Sequence, residues 1–455
     1  MTLVTAVVVL FGVLNARGYG LALALGGATP IGAAAVAGAV AVPTFYAVAI
    51  GAAAGVALRV LQRARWAPGA VVAPVPGVRP LVLLCVVAVL VTLLAPMLFD
   101  GLPVLSPAGG DVRLAAGVLT KSNIAQITYL VLSVCVVVFL ARSRWAGPQV
   151  VGTAALLATL LSLWAWAGGY GMPYPRGVFD NSPGFTIQET LPGGLPRVRG
   201  IFSEPAGLAG SSLITVAYAA SRSLAVGGLH RLGLLLVAGV ALFLGAISTS
   251  ATFFVAGAAL AVIAVAAGAA RFLLRRGPLS GAAVALVCAA TIAALWVLPW
   301  LTNLVGAVVD DKVDSASYTE RSGADDYSFG LVVDTFGLGV GVGSNRASSF
   351  AASLLSTVGV LGTALLVAAV WVLVRETAHV RAVRPVTWAL VALLLTKVVS
   401  GPDLADTNGI LWMGLGVLAH AALSSPRAGA HPSAARDPEG SRGRPRAGAE
   451  GRSTP

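Results

Sequence analysis

The sequence predicts an all-α polytopic membrane protein with large extracytoplasmic loops and about twelve transmembrane helices, or thirteen if a short amino-terminal run also crosses. The 455 residues are 57% hydrophobic and 11% charged, with mean hydropathy +0.88, which leaves too little polar surface for a soluble protein of this length. Apolar runs recur at about 20 residues, the length that crosses about 30 Å of hydrocarbon. The alternating segments of about 10 residues that are typical of membrane β-strands are missing from these runs.

Each predicted span is rich in Ala, Val, Leu and Gly, which membrane helices tolerate. The predicted spans are residues 20–41, 43–62, 80–98, 123–141, 149–169, 205–223, 231–248, 251–270, 281–300, 349–374, 386–399 and 408–423. The short additional run is 3–14, and the sequence leaves open whether it crosses. It lacks the small-residue cleavage site after a basic start that marks a removed signal peptide.

The charged residues predict how the helices are oriented. Arginines concentrate in one set of connections, which the positive-inside rule assigns to the cytoplasm: Arg59, Arg63, Arg65, Arg79, Arg142, Arg144, Arg222, Arg231, Arg271, Arg275, Arg276, Arg375, Arg381 and Arg384. The alternate connections hold 14 of the 18 acidic residues, so the opposite face is chemically distinct. We therefore expect a multi-pass plasma-membrane protein whose active face is extracytoplasmic and whose carboxyl terminus is cytoplasmic.

The predicted domain organisation is one integral membrane domain, residues 1–423, followed by a tail, 424–455. Its outer loops are about 99–122, 170–204 and 301–348. The tail is Arg, Pro, Gly, Ser and Ala with little apolar bulk, so we expect it to be disordered, basic and cytoplasmic, either contacting lipid headgroups or a partner or simply solvated. The net charge of +12 comes largely from the cytoplasmic anchors and this tail and does not indicate nucleic-acid binding.

The three cysteines predict neither disulfides nor a metal centre. Cys85, Cys135 and Cys288 all fall inside apolar spans, where a cysteine acts as a small core residue.

The loop 196–209 is the most informative segment of the chain. It reads Pro-Arg-Val-Arg-Gly-Ile-Phe-Ser-Glu-Pro-Ala-Gly-Leu-Ala and places Arg197, Arg199 and Glu204 at the start of an apolar helix. Charge next to a membrane segment is costly, so it usually has a function.

Two further motifs follow in the predicted outer connections. Ser248, Thr249 and Ser250 lie at the turn between two spans. Arg321 precedes a glycine run, 337–343, that contains Gly339 and Gly341 and is followed by Arg346.

In this order, on one side of the membrane, the motifs resemble the O-antigen polymerase and O-antigen ligase superfamily over roughly residues 120–375. The resemblance implies a membrane glycosyltransferase. Because no metal-ligand cluster is visible in the sequence, we expect the reaction to need no metal and no cofactor. Its donor is a glycan on undecaprenyl diphosphate, and an acceptor hydroxyl displaces the diphosphate at the anomeric carbon. Another lipid-linked glycan serves as acceptor, and the expected partners are membrane lipid and a polysaccharide export or chain-length protein.

A diphosphate leaving group needs fixed cations, and arginine binds phosphate oxygens in pairs. Arg199 and Arg321 match the family pattern, whereas Arg197 and Arg346 are inferred from their position near helix ends. All four can instead be loop ion pairs or anchors at the membrane surface.

The remaining candidates also have two interpretations. Glu204 either takes the acceptor proton or caps the helix that begins at Pro205. Ser248 and Ser250 bind substrate or bond to backbone carbonyls. Gly339 and Gly341 bring backbone close to phosphate or only permit tight helix packing.

Departures from the family favour a polymerase over a ligase. The ligase branch carries a histidine in its large outer loop, but His230, His379, His420 and His431 lie at or near predicted cytoplasmic positions. The general base then stays unassigned unless Glu204 or one of Asp310, Asp311 and Glu320 fills the role.

Two other classes remain open. Lys397, close to Asp403 and Asp406, is a candidate buried charge, as expected in a lipid-linked oligosaccharide flippase or another transporter. A non-catalytic scaffold for polysaccharide export is the third possibility. The sequence does not identify the sugars, the linkage or the oligomeric state.

Overall fold

The computed structural model describes residues 1–15, 18–38, 40–66, 74–107, 110–183, 198–275, 316–406 and 408–424. The helices are α1 (Thr2–Leu14), α2 (Tyr19–Gly27), α3 (Thr44–Trp66), α4 (Val78–Leu98), α5 (Lys121–Ala141), α6 (Gln149–Ala167), α7 (Arg176–Phe179), α8 (Pro205–Ser223), α9 (Gly228–Ile247), α10 (Ala251–Arg275), α11 (Ala316–Asp334), α12 (Phe350–Thr357), α13 (Gly359–Thr377), α14 (Arg384–Val399) and α15 (Ile410–Ser424). Short 3₁₀ turns, Gly168–Tyr170 and Arg381–Val383, extend α6 and precede α14. Two antiparallel hairpins pair β1 (Ala34–Ala37) with β2 (Val40–Pro43) and β3 (Pro103–Leu105) with β4 (Asp111–Arg113).

The described residues form a helical multi-pass membrane protein. Eight helical segments, built on α3, α4, α5, α6, α9, α10, α13 and α14, are long and apolar enough to cross a bilayer, and α1 and α15 are shorter apolar helices. The described part of the chain therefore contains fewer than the twelve or thirteen spans that hydropathy predicts. The predicted span 281–300 and the tail from residue 425 lie outside the described residues.

The helix α15 lies at the centre of the bundle, where it packs against α5, α6, α13 and α14. Leu411, Trp412 and Met413 are fully buried, as is most of the helix. Its 15 residues are enclosed by protein, so its length is not set by the thickness of the bilayer.

Helix α8 begins and ends where the sequence predicts, yet it is less apolar than the eight candidate spans. It packs against α6, α9, α10 and α14, and its small polar residues are buried between these helices. Thr215 Oγ1 lies 2.9 Å from Thr159 Oγ1 on α6 and also bonds to Ala155 O. Because neighbouring helices cover α8, its polar side chains need not face lipid.

Two predicted spans are not single helices. Residues 20–41 were expected to form one span, but α2 ends at Gly27 and the chain turns into the β1–β2 hairpin. Asn181 pairs with the hairpin through Ala34, donating to its carbonyl at 2.8 Å and accepting from its amide at 3.0 Å. Hydropathy does not distinguish this apolar hairpin from a helix, because both are built from Ala, Val and Gly.

The other is 349–374, which divides into α12 and α13 at Val358. Gly359 has φ +69°, and its Cα packs against the backbone of Gly337 and Leu338. The left-handed conformation of Gly359, where a side chain has no room, interrupts the helical run between α12 and α13.

The glycine run 337–343 packs against other backbone segments. Gly341 has φ +91°, and a Cβ there would lie 2.7 Å from Thr92 Cα on α4. Its amide donates to Thr357 O at 2.9 Å, and the Gly339 amide donates to Thr335 Oγ1 at 3.1 Å. These contacts favour the packing interpretation of the glycines, because both amides are already bonded within the protein.

Replacing Gly341 by alanine tests that interpretation. We expect Gly341→Ala to lower the yield and melting temperature of the folded protein, since a left-handed non-glycine residue costs about 1–2 kcal/mol before the contact with Thr92 is counted. Gly330→Ala is the matched control, because a Cβ at Gly330 on α11 meets no atom within 4 Å. A Gly341→Ala protein that melts like the control would contradict the packing role.

Candidate functional site

One end of the bundle contains a cavity of about 880 Å³. Its walls come from the segment after α2, the β3–β4 hairpin, the start of α8, the middle of α11, the segment before α12, the end of α14, and the connection between α14 and α15. These connections are far apart in sequence and all lie on the side predicted to face outward. The charged residues that line the cavity are Asp111, Glu204, Arg321, Arg346, Lys397, Asp403 and Asp406.

Glu204 faces the cavity and forms a loose ion pair with Arg321 of α11. Glu204 Oε2 lies 3.9 Å from Arg321 Nη2, and the two side chains are 43% and 49% exposed. Glu204 occupies the cap position before Pro205, but its side chain accepts no hydrogen bond from the first turn of α8. Capping therefore does not account for the orientation of this carboxylate, and both charges remain accessible to a ligand.

Arg199 does not line the cavity and stabilises the turn that leads to it. Its guanidinium binds both carboxylate oxygens of Asp180, at 2.8 and 3.1 Å, and donates to Phe202 O at 2.7 Å. The Arg199 side chain is only 12% exposed. Gly200, with φ +59°, packs against Ser162 of α6 and completes this turn. Arg199 thus fixes the backbone that presents Glu204, and direct binding of substrate by Arg199 stays a prediction.

Arg346 is exposed at the cavity wall, on backbone that is firmly held. Its amide donates to Leu105 O at 2.9 Å. The adjacent Asn345 is buried; it accepts from the Leu105 amide at 3.2 Å and donates to Ser328 Oγ at 2.8 Å and Ser356 Oγ at 3.1 Å. Within the described residues, the Arg346 guanidinium forms no ion pair.

Asp325 holds the chain that follows Arg346. Its Oδ1 accepts from the amides of Ser348 and Ser349, at 2.6 and 2.9 Å. Ser349 in turn caps α12. This carboxylate is therefore occupied with backbone donors and does not face a ligand.

Lys397 and Asp406 form a buried ion pair at the cavity. Both residues are 6% exposed, and Lys397 Nζ lies 3.2 Å from Asp406 Oδ1 and 2.7 Å from Asp403 O. Asp406 has φ +55°, and its Oδ2 accepts from the Leu411 amide at the start of α15. The sequence indicated Lys397 as a buried charge near these aspartates, and the structure confirms that placement.

Tyr327 was not among the predicted site residues, although it lines the cavity. Its hydroxyl donates to Pro103 O at 2.7 Å. Burial, followed by the carboxylates of Asp111 and Asp334, raises the pKa of Tyr327, so the hydroxyl stays protonated and remains a donor. An aromatic residue in an acidic outer loop was the only signal available in the sequence.

The other predicted site residues lie apart from the cavity. Ser248 is fully buried and its hydroxyl donates to Gly245 O at 2.6 Å, while Ser250 is 4% exposed at the next turn. Neither serine lines the cavity, and neither do Gly339 and Gly341. Of the two interpretations of Ser248, substrate binding or a bond to a backbone carbonyl, the structure favours the bond to a carbonyl.

Several predictions fall outside what the structure describes. Arg197, Asp310 and Asp311 lie outside the described residues, as does the side chain of Glu320. Among the described residues, no group of three or more His, Cys, Asp or Glu side chains is arranged to hold a metal ion.

No protein-family model matches the chain, and no curated protein matches it. Its class therefore follows from fold and site: a multi-pass helical membrane protein with a charged cavity at one end of the bundle.

The buried ion pair of Lys397 and Asp406 leads to a prediction about the stability of the protein. We expect Lys397→Met to destabilise the detergent-solubilised protein by about 3–5 kcal/mol, because Asp406 is left as an unpaired buried charge. Adding Asp406→Asn should recover much of that loss, since asparagine tolerates positive φ and still accepts from the Leu411 amide. Thermal melts of both variants measure the effect. A double variant no more stable than Lys397→Met would show that the two charges are not coupled.

Proposed function

We propose that the chain is a membrane glycosyltransferase that polymerises undecaprenyl-diphosphate-linked repeat units into a surface or extracellular polysaccharide. The observation that carries the proposal is the convergence of Arg321, Arg346 and Lys397 with carboxylates in one cavity. The motifs that resemble the polymerase and ligase superfamily supply the reaction class.

The mixed charge of the cavity suits a ligand with both phosphates and sugars. Arg321 and Arg346 can bind diphosphate oxygens, and the carboxylates of Asp111 and Glu204 can accept hydrogen bonds from sugar hydroxyls. A volume of about 880 Å³ is at the upper end of the usual range for small-molecule sites, about 300–1,000 Å³, so it can hold a diphosphate with its attached sugars.

The proposed reaction is a displacement at the anomeric carbon of the donor. The acceptor oxygen forms the new glycosidic bond as its proton passes to a base, and the bond from the anomeric carbon to the diphosphate oxygen breaks. Arg321 and Arg346 stabilise the departing diphosphate, and Glu204 is the best-placed base. Arg199 contributes by holding the turn before Glu204.

The site is compatible with a lipid-linked substrate. Because the cavity lies at one end of the helices, an isoprenoid tail can stay in the bilayer while its diphosphate reaches Arg321 and Arg346. The arginine distribution assigns this end to the extracytoplasmic face of the plasma membrane. A polysaccharide export or chain-length partner would take up the product there.

A flippase is the alternative that a specific observation favours. Lys397 and Asp406 are ionisable residues buried at the cavity, and buried ionisable residues are a feature of transport pathways. A ligase that transfers finished glycan to a different acceptor shares the proposed chemistry and differs in its product.

The direct test uses purified protein in lipid nanodiscs with the lipid-linked repeat unit of its host. We expect a ladder of products, and we expect Arg321→Ala or Arg346→Ala to reduce the rate by about 10²–10³-fold, as for loss of one group that stabilises developing charge. Lys121→Ala is the matched control, because this exposed lysine does not line the cavity. A single transfer product would indicate a ligase. A folded protein that only moves the lipid between leaflets would indicate a flippase.

The role of Glu204 is tested by Glu204→Gln, which keeps the shape and removes the charge. Because the side chain makes no capping bond, we expect an unchanged melting temperature and a rate lower by about 10²–10⁴-fold, the range for loss of acid–base catalysis. Full elongation by this variant would place the base elsewhere. A lower melting temperature would restore the capping interpretation.

A further inference from the structure

A second, smaller cavity of about 160 Å³ adjoins the large one. Ser122 and Gln126 of α5 and Ser353 of α12 are among the residues that line it. The two cavities share Arg346, Pro402 and Asp403, so these residues form the boundary between them.

Three polar side chains in the small cavity have no hydrogen-bond partner in the described part of the chain: Ser122, Gln126 and Ser353. Other polar groups of the same wall are occupied. The Asn345 amide joins Ser328, Ser356 and Leu105, and Thr357 Oγ1 donates to Ser353 O at 2.6 Å. The side chains without partners can therefore bind a ligand without breaking existing bonds.

The small cavity matches one sugar ring in size and chemistry. A cavity of about 150 Å³ holds a six-membered ring such as benzene when its lining is apolar. Here the hydroxyls of Ser122 and Ser353 and the carboxamide of Gln126 replace part of an apolar lining. Hydroxyls and carboxamides both donate and accept hydrogen bonds. A pyranose, which is a six-membered ring bearing hydroxyls, fits this combination.

We propose that the small cavity is the acceptor subsite, which binds the terminal sugar of the growing or incoming glycan. This inference rests on the proposed function, because a polymerase must hold two glycans at once. The donor diphosphate occupies the large cavity beside Arg321, and the acceptor ring lies against Gln126. Arg346 and Asp403 at the boundary then orient the acceptor hydroxyl towards the donor.

The subsite also explains how one acceptor sugar is chosen over another. Hydrogen bonds from Gln126 and the two serines discriminate hydroxyl positions, since a mismatched sugar leaves buried polar groups unpaired. Specificity for the terminal sugar therefore depends on α5 and α12, whereas binding of the diphosphate depends on α11 and Arg346.

The test measures protection of a single thiol and needs no catalysis. Ser122→Cys is introduced into the full chain after Cys85→Ala, Cys135→Ala and Cys288→Ala, and its rate of labelling by 2-aminoethyl methanethiosulfonate is measured in nanodiscs. The ligand is the host repeat-unit oligosaccharide freed of lipid and diphosphate, which has no leaving group and so can act only as an acceptor. We expect labelling to slow about tenfold when the oligosaccharide is at about ten times its Kd.

The controls separate the subsite from general effects. Lys121→Cys, one residue away and outside both cavities, should label at the same rate with and without the oligosaccharide. Adding Gln126→Leu to Ser122→Cys should reduce protection from about tenfold to about twofold at the same oligosaccharide concentration. In the elongation assay, Gln126→Leu alone should raise the oligosaccharide concentration that half-inhibits elongation by about tenfold, as loss of one or two hydrogen bonds predicts.

The outcomes distinguish the two proposals. Unprotected Ser122→Cys in a preparation that still elongates lipid-linked repeat units overturns the acceptor subsite and leaves the proposed function standing. Protection in a folded protein that moves lipid without elongating it overturns the acceptor role together with the proposed function. In an elongating protein, protection of Ser122→Cys but not of Lys121→Cys, reduced to about twofold by Gln126→Leu, supports the subsite.

Discussion

The buried part of the connection between α14 and α15, residues 404–406, has to pair its backbone polar groups within the protein, and the cavity depends on how it does so. Within a membrane protein, irregular backbone is tolerated only where it is enclosed by protein or lines a cavity. Here the carbonyl of Ala405 accepts from the Tyr46 hydroxyl, from Trp412 Nε1 at 2.9 Å and from Ser133 at 3.4 Å. Lys397 Nζ donates to the Asp403 carbonyl, and Asp406 Oδ2 accepts from the Leu411 amide of α15. Because α3, α5, α14 and α15 all contribute, the floor of the cavity is fixed by the centre of the bundle.

Sequence reasoning placed most of the helices but not the breaks within apolar runs. The run 205–223 is α8, and the predicted span 149–169 differs from α6 by two residues. Each of these helices begins at or just after a proline, Pro148 or Pro205, and proline favours a helix start through local chemistry. The hairpin in 20–41 and the break at Gly359 depend instead on contacts with Asn181 and with the glycine run, which are remote in sequence. Hydropathy records how apolar a segment is, so it cannot distinguish a span from apolar backbone that turns inside the protein.

In the candidate site, too, the sequence predicted features that depend on local residues but not contacts between residues remote in sequence. Glu204, Arg321 and Arg346 were predicted from their positions at helix ends on one side of the membrane, and they meet in one cavity. Arg199 was predicted with them, yet it binds Asp180, which lies 19 residues earlier in the chain. A sequence shows which charged residues border helices, but it does not show which of them form ion pairs within the folded protein. Gln126 and Ser122 carried no signal, because an amide and a hydroxyl near the start of an apolar helix are usual, and only the adjoining cavity makes them informative.

The two ion pairs of the cavity differ in exposure, and this difference distinguishes a structural ion pair from one that a substrate can engage. Lys397 and Asp406 are both 6% exposed, and each also bonds to backbone, so a ligand would have to break several interactions to recruit either charge. Arg321 and Glu204 are nearly half exposed and 3.9 Å apart, in water that screens their attraction, so exchanging partners costs little. A cation that binds and releases a diphosphate in every turnover must exchange partners easily, as Arg321 can in its exposed pair with Glu204. The buried pair holds the connection between α14 and α15 in place, whereas the exposed pair and Arg346 are the groups that a substrate can engage.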